Sequence, residues 1–126
     1  MKTTSILTSI VLLAVFASCA KPGADAKGGE ARAFVTKSGR DALVAFRIQM
    51  GDYPSTGEGL KALVERPEKR KDRWRGPYLK SEVALLDPWG RPYQYRSPAV
   101  RSTSGYDLWS LGADGVVSND DIANWQ

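Results

Sequence analysis

One amphipathic segment constrains this chain of 126 residues more than any other feature. Between residues 30 and 50 apolar side chains recur at three- and four-residue steps, and Leu43, Phe46 and Met50 share one face of a helix. Gly39 lies in the middle of the segment, where glycine costs about 1 kcal/mol relative to alanine. The helix therefore needs a partner surface, and its single broad apolar stripe predicts that it lies across a sheet.

Two strands are predicted downstream of this helix. Residues 92–96 alternate aromatic with polar side chains, and residues 106–110 carry aromatics that favour strands. The polar stretch 97–105 joins them as a hairpin loop, and a third short strand is expected beside them at residues 83–86. The order of helix first and strands later predicts an α+β fold with a small antiparallel sheet of about three strands.

Two local patterns separate the helix from the strands. Ser55 and Glu58 have the spacing of a capping box, which opens a short helix that Pro67 ends. Residues 66–75 then form a basic loop, interpreted either as a docking patch for an acidic partner or lipid headgroups, or as a solvated loop. The solvated loop is favoured because Glu68 and Asp72 interrupt the run of positive charge.

The first eighteen residues are typical of an export signal. Lys2 is followed by an apolar stretch at residues 6–17, which is shorter than the ~20 residues of a membrane-spanning helix. The end of this stretch resembles the lipobox of bacterial lipoproteins, with Cys19 as the acylated residue, although Phe16 stands where leucine is usual. An ordinary secretory signal that leaves Cys19 free is the alternative. Residues 19–29, rich in Gly, Ala and Lys, predict a flexible tether before a globular domain at 30–126.

Composition excludes several kinds of chemistry. The chain has no histidine and one cysteine, so histidine-based acid–base catalysis, an internal disulfide and a cysteine-rich zinc site are not expected. The formal charge of +4 is too small, without clustering on one face, to indicate a nucleic-acid partner. Composition therefore leaves a carboxylate-based or a purely structural role, and we expect neither a nucleic-acid partner nor a small-molecule substrate.

Oxygen donors are concentrated near the C-terminus. Three carboxylates, one hydroxyl and one carboxamide fall within eight residues, at Asp114, Ser118, Asn119, Asp120 and Asp121. Hard oxygen ligands in a glycine-containing loop are what Ca²⁺ requires, but the spacing is not that of an EF-hand. A polar turn closed by an Asx hydrogen bond from Asp114 is an equally good interpretation of the spacing alone.

Four ordered stretches together resemble a known family. They share unusual tryptophan and glycine–proline pairs, and they are residues 51–63, 74–79, 87–95 and 106–115, followed by Asp121-Ile122 and Asn124-Trp125. The pattern resembles the globular part of the major pseudopilin, the G protein of type II secretion systems, and extends over roughly residues 31–126. The resemblance implies a pilin-like fold, with a long N-terminal helix packed on a three-stranded antiparallel sheet and a C-terminal calcium loop.

The resemblance also implies a function. It predicts a structural, non-enzymatic role in protein secretion across the outer membrane, with other secretion-system or pilus-like proteins as partners. It places Ca²⁺ on Asp114, Asp121 and the backbone of Leu111, with Ser118 and Asp120 as further ligands.

The N-terminal region departs from the family pattern. Pseudopilins carry a glutamate at the fifth mature position and about 20 apolar residues, and neither is found here. The alternative hypothesis is therefore a pseudopilin-like module anchored by lipid at Cys19, in the bacterial cell envelope and facing the periplasm or the cell surface. Such a module would bind a partner at the membrane without entering a filament.

The four tryptophans have a simpler interpretation. Large aromatic side chains supply much of the buried area in small domains. We therefore expect the four to close the core, at Trp74, Trp89, Trp109 and Trp125.

Overall fold

A computed structural model describes the backbone of residues 22–126 and the side-chain surroundings of residues 26–126. The predicted signal and Cys19 lie outside the described residues. A continuous helix comes first: α1 (Pro22–Ala33), a π-helical segment (Phe34–Ser38) and α2 (Gly39–Met50). Within the described part of the chain, no helix combines the length and the apolar character needed to cross a membrane.

The helix starts earlier than predicted. The flexible tether at 19–29 is wrong from Pro22 on, because residues 22–29 form the first turns of α1. Small side chains were interpreted as a lack of order, but they let this end of the helix lie close to the last strand. A Cβ atom on Gly28 would lie 4.0 Å from Cδ1 of Ile122, and Ala31 is fully buried.

The sheet confirms the predicted hairpin. Strands β1 (Gln94–Arg96), β2 (Asp107–Ser110) and β3 (Ile122–Ala123) form an antiparallel sheet in the order β1-β2-β3. In its register Tyr95 lies opposite Leu108, and Ser110 opposite Ile122. Leu108 is completely buried against the helix, close to Gly39, so the predicted α+β architecture of a long helix on a small sheet is confirmed.

The third strand lies elsewhere than predicted. Residues 83–86 fall in a 3-10 turn (Glu82–Leu85) followed by a single β-bridge from Leu86 to Pro92. None of the residues of this turn is fully buried, Val83 is 73% exposed, and Leu85 is the one that packs against the core. The third strand is instead β3, whose two residues are both buried.

The capping box is confirmed, and the short helix predicted after it is a 3-10 helix. The Ser55 amide donates to Oε1 of Glu58 at 3.1 Å, and the Glu58 amide donates to Oγ of Ser55 at 3.1 Å. Only one 3-10 turn follows, at Leu60–Leu63, with Leu60 and Leu63 buried in the core.

Candidate metal centre

The loop between β2 and β3 gathers three carboxylates. Asp114, Asp120 and Asp121 each offer one oxygen atom, and these oxygens all lie within 4.8 Å of one another. Like charges at this separation repel unless protons, hydrogen bonds or a cation offset them. The loop therefore concentrates negative charge at one place on the surface.

Ser118 lies at the centre of this cluster. Its hydroxyl is 2.7 Å from Oδ2 of Asp114 and also contacts Oδ1 of Asp120, while its amide donates to Oδ1 of Asp121 at 3.3 Å. Hydrogen bonds from the Ser118 hydroxyl and the Val116 amide lower the pKa of Asp114. The carboxylate is thus ionised at neutral pH, the form in which it binds metal.

Two glycines allow the loop to close on itself. Gly112 has φ +72°, and a Cβ there would lie 2.7 Å from the carbonyl oxygen of Asp120. Gly115 also has φ +72°, and a Cβ there would collide with the guanidinium of Arg91. Both positions combine a left-handed backbone with close approach, which glycine alone tolerates without strain.

Arg91 anchors the loop from the adjacent turn. Its Nη1 donates to the carbonyl oxygens of Gly112 at 3.0 Å and Ala113 at 3.4 Å. The same turn is fixed by Asp87, whose Oδ1 accepts the Arg91 amide at 2.9 Å and whose Oδ2 accepts the Ser110 hydroxyl at 2.8 Å. We call residues 111–121 the acidic loop. Arg91 holds its first residues, and Asp87 joins the turn that carries Arg91 to Ser110 at the end of β2.

The structure brings together most of the predicted ligands. Asp114, Ser118, Asp120 and Asp121 form one cluster, and Leu111 is the half-buried residue that directly follows β2. The side-chain donors are all hard oxygens, which fit Ca²⁺ and do not suit a soft metal.

Comparison with known proteins agrees with this architecture. The family model described as Type II secretion system (T2SS), protein G matches residues 20–125. The chain belongs to this family.

Individual relatives extend the likeness. The type II secretion system core protein G of Pseudomonas aeruginosa is 36% identical, over 95% of this chain and 89% of its own length. That of Vibrio cholerae is 33% identical over 95% of this chain and 86% of its own. The crystal structure of the major pseudopilin from the type 2 secretion system of enterohaemorrhagic Escherichia coli has a TM-score of 0.67 and 31% identity, covering 80% of this chain and 88% of that one.

In this protein G family member, Asp107 lies apart from the acidic loop. It is fully buried under the hairpin loop, where its carboxylate accepts the amides of Val100, Arg101 and Ser102 and the Nε of Arg96. Burial raises the pKa of Asp107, but these four donors outweigh it and hold that pKa well below its usual range. Asp107 is thus an anchor for residues 97–105.

Asn124 is a second anchor that sequence reasoning missed. Its Oδ1 accepts the Leu108 amide at 3.0 Å, and its Nδ2 donates to the Tyr106 carbonyl at 3.0 Å. The side chain therefore continues the pairing of β3 with β2 beyond Ala123. The C-terminal motif of the family contains this asparagine, but its hydrogen-bond partners lie far away in the sequence, so the motif did not indicate its role.

The tryptophans divide into two pairs. Trp74 and Trp89 are half-buried against the core, as predicted, and Nε1 of Trp74 donates to the Ala62 carbonyl at 2.8 Å. The core prediction is wrong for Trp109 and Trp125, which pack on each other with ring centroids 5.4 Å apart. Trp109 points away from the helix because it alternates with the buried Leu108 along β2.

The basic loop is held by Trp74 and Arg70, and its other basic side chains are exposed. Arg70 donates to Oε1 of Glu58 at 2.9 Å and to the Met50 carbonyl at 3.4 Å, at the C-terminal end of α2. The other basic side chains of residues 66–75 are exposed. This agrees with the interpretation as a solvated loop.

Proposed function

We propose that this chain is the globular part of a major pseudopilin, with a structural and non-enzymatic role in protein secretion across the outer membrane, and that Ca²⁺ stabilises its C-terminal loop. Membership of the protein G family and the likeness to a solved major pseudopilin support the role in secretion. The observation that carries the calcium proposal is the cluster of three carboxylate oxygens within 4.8 Å.

The proposed role of Ca²⁺ is to offset the repulsion within this cluster. Asp114 and Asp120 lie before β3, and Asp121 directly precedes it, so a cation between them would fix the path of the chain from β2 to β3. An ion present at 100 times its dissociation constant would add about 2.7 kcal/mol to the free energy of unfolding.

Thermal unfolding tests the calcium proposal. We expect EDTA to lower the melting temperature and added Ca²⁺ to restore it, and we expect Asp114→Ala and Asp121→Ala to abolish the difference. Asp72→Ala is the matched control, because this exposed aspartate lies in the basic loop. Equal melting with and without Ca²⁺ would exclude the site.

Loss of the chain tests its role in secretion. Deleting its gene in the bacterium that makes it should leave type II substrates inside the cell envelope, and the wild-type gene should restore their release. We expect the double variant Asp114→Ala, Asp121→Ala to restore it poorly. Normal release after deletion would contradict the role.

A second candidate function is favoured by Ala17-Ser18-Cys19, which follows the apolar stretch. In that case the chain is a lipid-anchored pseudopilin-like module that binds a partner at the membrane surface without entering a filament. The relatives favour the first function. Their similarity covers 95% of the chain, which is more than the residues 20–125 of the family model, so it includes part of the first nineteen residues.

Two measurements separate these functions. Mass spectrometry of the mature N-terminus would find diacylated or triacylated Cys19 for the module. Recovery of the chain as a stoichiometric subunit of purified filaments would exclude the module and support the first function.

A further inference from the structure

Two arginine–tryptophan pairs form a small pocket on the outer face of the sheet. The guanidinium carbon of Arg96 lies 5.1 Å from the ring centroid of Trp109, and that of Arg101 lies 5.2 Å from the ring centroid of Trp125. The two indoles are in contact, and the cavity beside them has a volume of about 90 Å³. We call this the arginine–tryptophan pocket; its lining residues are Arg96, Arg101, Trp109, Val117, Asp121 and Trp125.

Both arginines retain hydrogen-bond donors. Arg96 uses its Nε for Asp107, at 2.6 Å, and its terminal nitrogens make no hydrogen bond to any residue from 26 to 126. The side chain of Arg101 makes none within the same range, although its amide is held by Asp107. Asp107 therefore fixes the side chain of Arg96 and the backbone of Arg101, and the outer N–H groups of both side chains remain available.

The charge of the pocket favours an anion. Two guanidiniums face one carboxylate, that of Asp121, and Oδ1 of Asp121 already accepts the Ser118 amide. A planar guanidinium binds a carboxylate through two parallel hydrogen bonds, and each guanidinium here lies over an indole ring, which adds a cation–π attraction.

The size and the rim of the pocket favour an acidic side chain of a protein. A volume of about 90 Å³ corresponds to roughly three water molecules in the liquid, which suits a carboxylate with one or two methylene groups. Val116 and Val117 beside it are 60% and 76% exposed, and exposed apolar side chains next to a polar pocket are typical of protein interfaces.

We propose that the arginine–tryptophan pocket binds an exposed aspartate or glutamate of a partner protein. The inference goes beyond the proposed function, which assigns no residue to a partner. The binding groups, Arg96 and Arg101, and Trp109 come from β1, β2 and the hairpin loop anchored by Asp107, whereas Val117 and Asp121 belong to the proposed calcium loop.

Titration of the full chain with matched probes tests the pocket. The probes are N-acetylglutamic acid amide and N-acetylglutamine amide, which differ in charge and little in shape, and the readout is the four indole N–H signals in the NMR spectrum. We expect the glutamic acid probe to shift Trp109 and Trp125 saturably, the glutamine probe to shift neither, and Trp74 and Trp89 to stay in place. Repeating the titration in EDTA shows whether binding at the pocket requires Ca²⁺, so the two proposals are tested separately.

Substitutions locate the binding groups. Arg101→Gln should weaken binding at least about tenfold, the loss expected for charge-assisted hydrogen bonds. Its backbone amide still reaches Asp107, so the fold is retained, and Arg101→Lys provides a second variant that keeps the charge and loses the planar fork. Arg75→Gln is the matched control, because this arginine is exposed in the basic loop.

Three outcomes would overturn the proposal. They are equal shifts with both probes, equal weakening by Arg75→Gln and Arg101→Gln, or tighter binding of methyl phosphate than of the glutamic acid probe. Indole shifts that appear on concentrating the protein alone, and vanish in Arg101→Gln, would identify the acidic partner as a second copy of this chain.

Discussion

At the scale of single residues, Asp107 shows how one buried charge organises a loop. Its carboxylate has no exposed surface and accepts three backbone amides and one guanidinium. Such a group is stable in the interior only because every donor around it is directed at the ionised form. The hairpin loop and both arginines of the arginine–tryptophan pocket therefore depend on this side chain.

We predict that Asp107→Asn lowers the free energy of unfolding by about 3 kcal/mol, because an amide leaves the Arg96 charge without its partner. Chemical denaturation of this variant and of the exposed control Asp72→Asn measures the difference. A loss as small as that of the control would contradict the anchoring role.

The same carboxylate predicts a dependence on pH. The pKa of Asp107 is lowered in the folded state, so its contribution is complete above the unfolded pKa of about 4 and is lost as the pH falls toward the folded value. Denaturation at about pH 7 and about pH 3 should show a larger loss of stability for the wild type than for Asp107→Asn.

The sequence predicted the carboxylates of the acidic loop but not the residues that hold the neighbouring backbone in place. Asp114, Ser118, Asp120 and Asp121 are close in the chain, so their spacing and the family resemblance were enough to group them. Arg91 lies about 20 residues before the carbonyls it holds, and Asp107 meets its amide donors only after the hairpin has closed. Those contacts are products of the tertiary fold and leave no local pattern.

At the scale of secondary-structure elements, Gly39 has a packing role. A Cβ on Gly39 would lie 2.8 Å from the carbonyl oxygen of Phe34 and 3.1 Å from Cδ2 of Leu108. The glycine therefore permits the π-helical segment and the close approach of the helix to β2. Glycine lowers the helix propensity at this position, but a side chain here would block the contact between the helix and β2.

We predict opposite effects of alanine at two glycines of the same helix. Gly39→Ala should destabilise the protein by about 1–3 kcal/mol through overpacking, whereas Gly29→Ala should stabilise it by up to about 1 kcal/mol, because nothing lies within 4 Å of its Cβ. Thermal unfolding of both variants gives the comparison. Stabilisation by Gly39→Ala would show that the neighbours move aside.

The strands show where patterns suffice and where they fail. Aromatic alternation predicted β1 and strand-favouring aromatics predicted β2, and Tyr95 and Leu108 of these strands pack in or against the core. The two residues of β3 are too few for a periodicity, and part of its pairing comes from the Asn124 side chain. The early start of α1 was missed because alanine and glycine signal either disorder or close packing, and only the neighbouring Ile122 decides between them.

At the scale of the whole molecule, two charged features lie near opposite ends of one helix. The acidic loop leads into β3, which packs near Gly28, while the basic loop is fastened to the Met50 carbonyl through Arg70. The family resemblance predicted the overall architecture correctly, because its motifs fix the turns between elements. It did not predict this separation of charge along the helix.

We predict that the basic loop adds little to membrane binding. In the full chain, Lys69→Gln with Lys71→Gln should leave the affinity for vesicles rich in anionic lipid unchanged, whereas Lys27→Gln near the start of the helix should weaken it. A basic residue at the lipid surface contributes about 1 kcal/mol, so flotation assays would detect either effect. A clear loss in the double variant would instead support docking to headgroups.

The length of the helix separates Lys27 from the basic loop. From Pro22 to Met50 the chain rises by about 42 Å at 1.5 Å per residue. In physiological salt an electrostatic attraction fades over about 8 Å, so a charge at the Met50 end of the helix is screened from a surface that contacts the Pro22 end. The helix is therefore a spacer that separates the positive charge of the basic loop from anything bound at its N-terminal end.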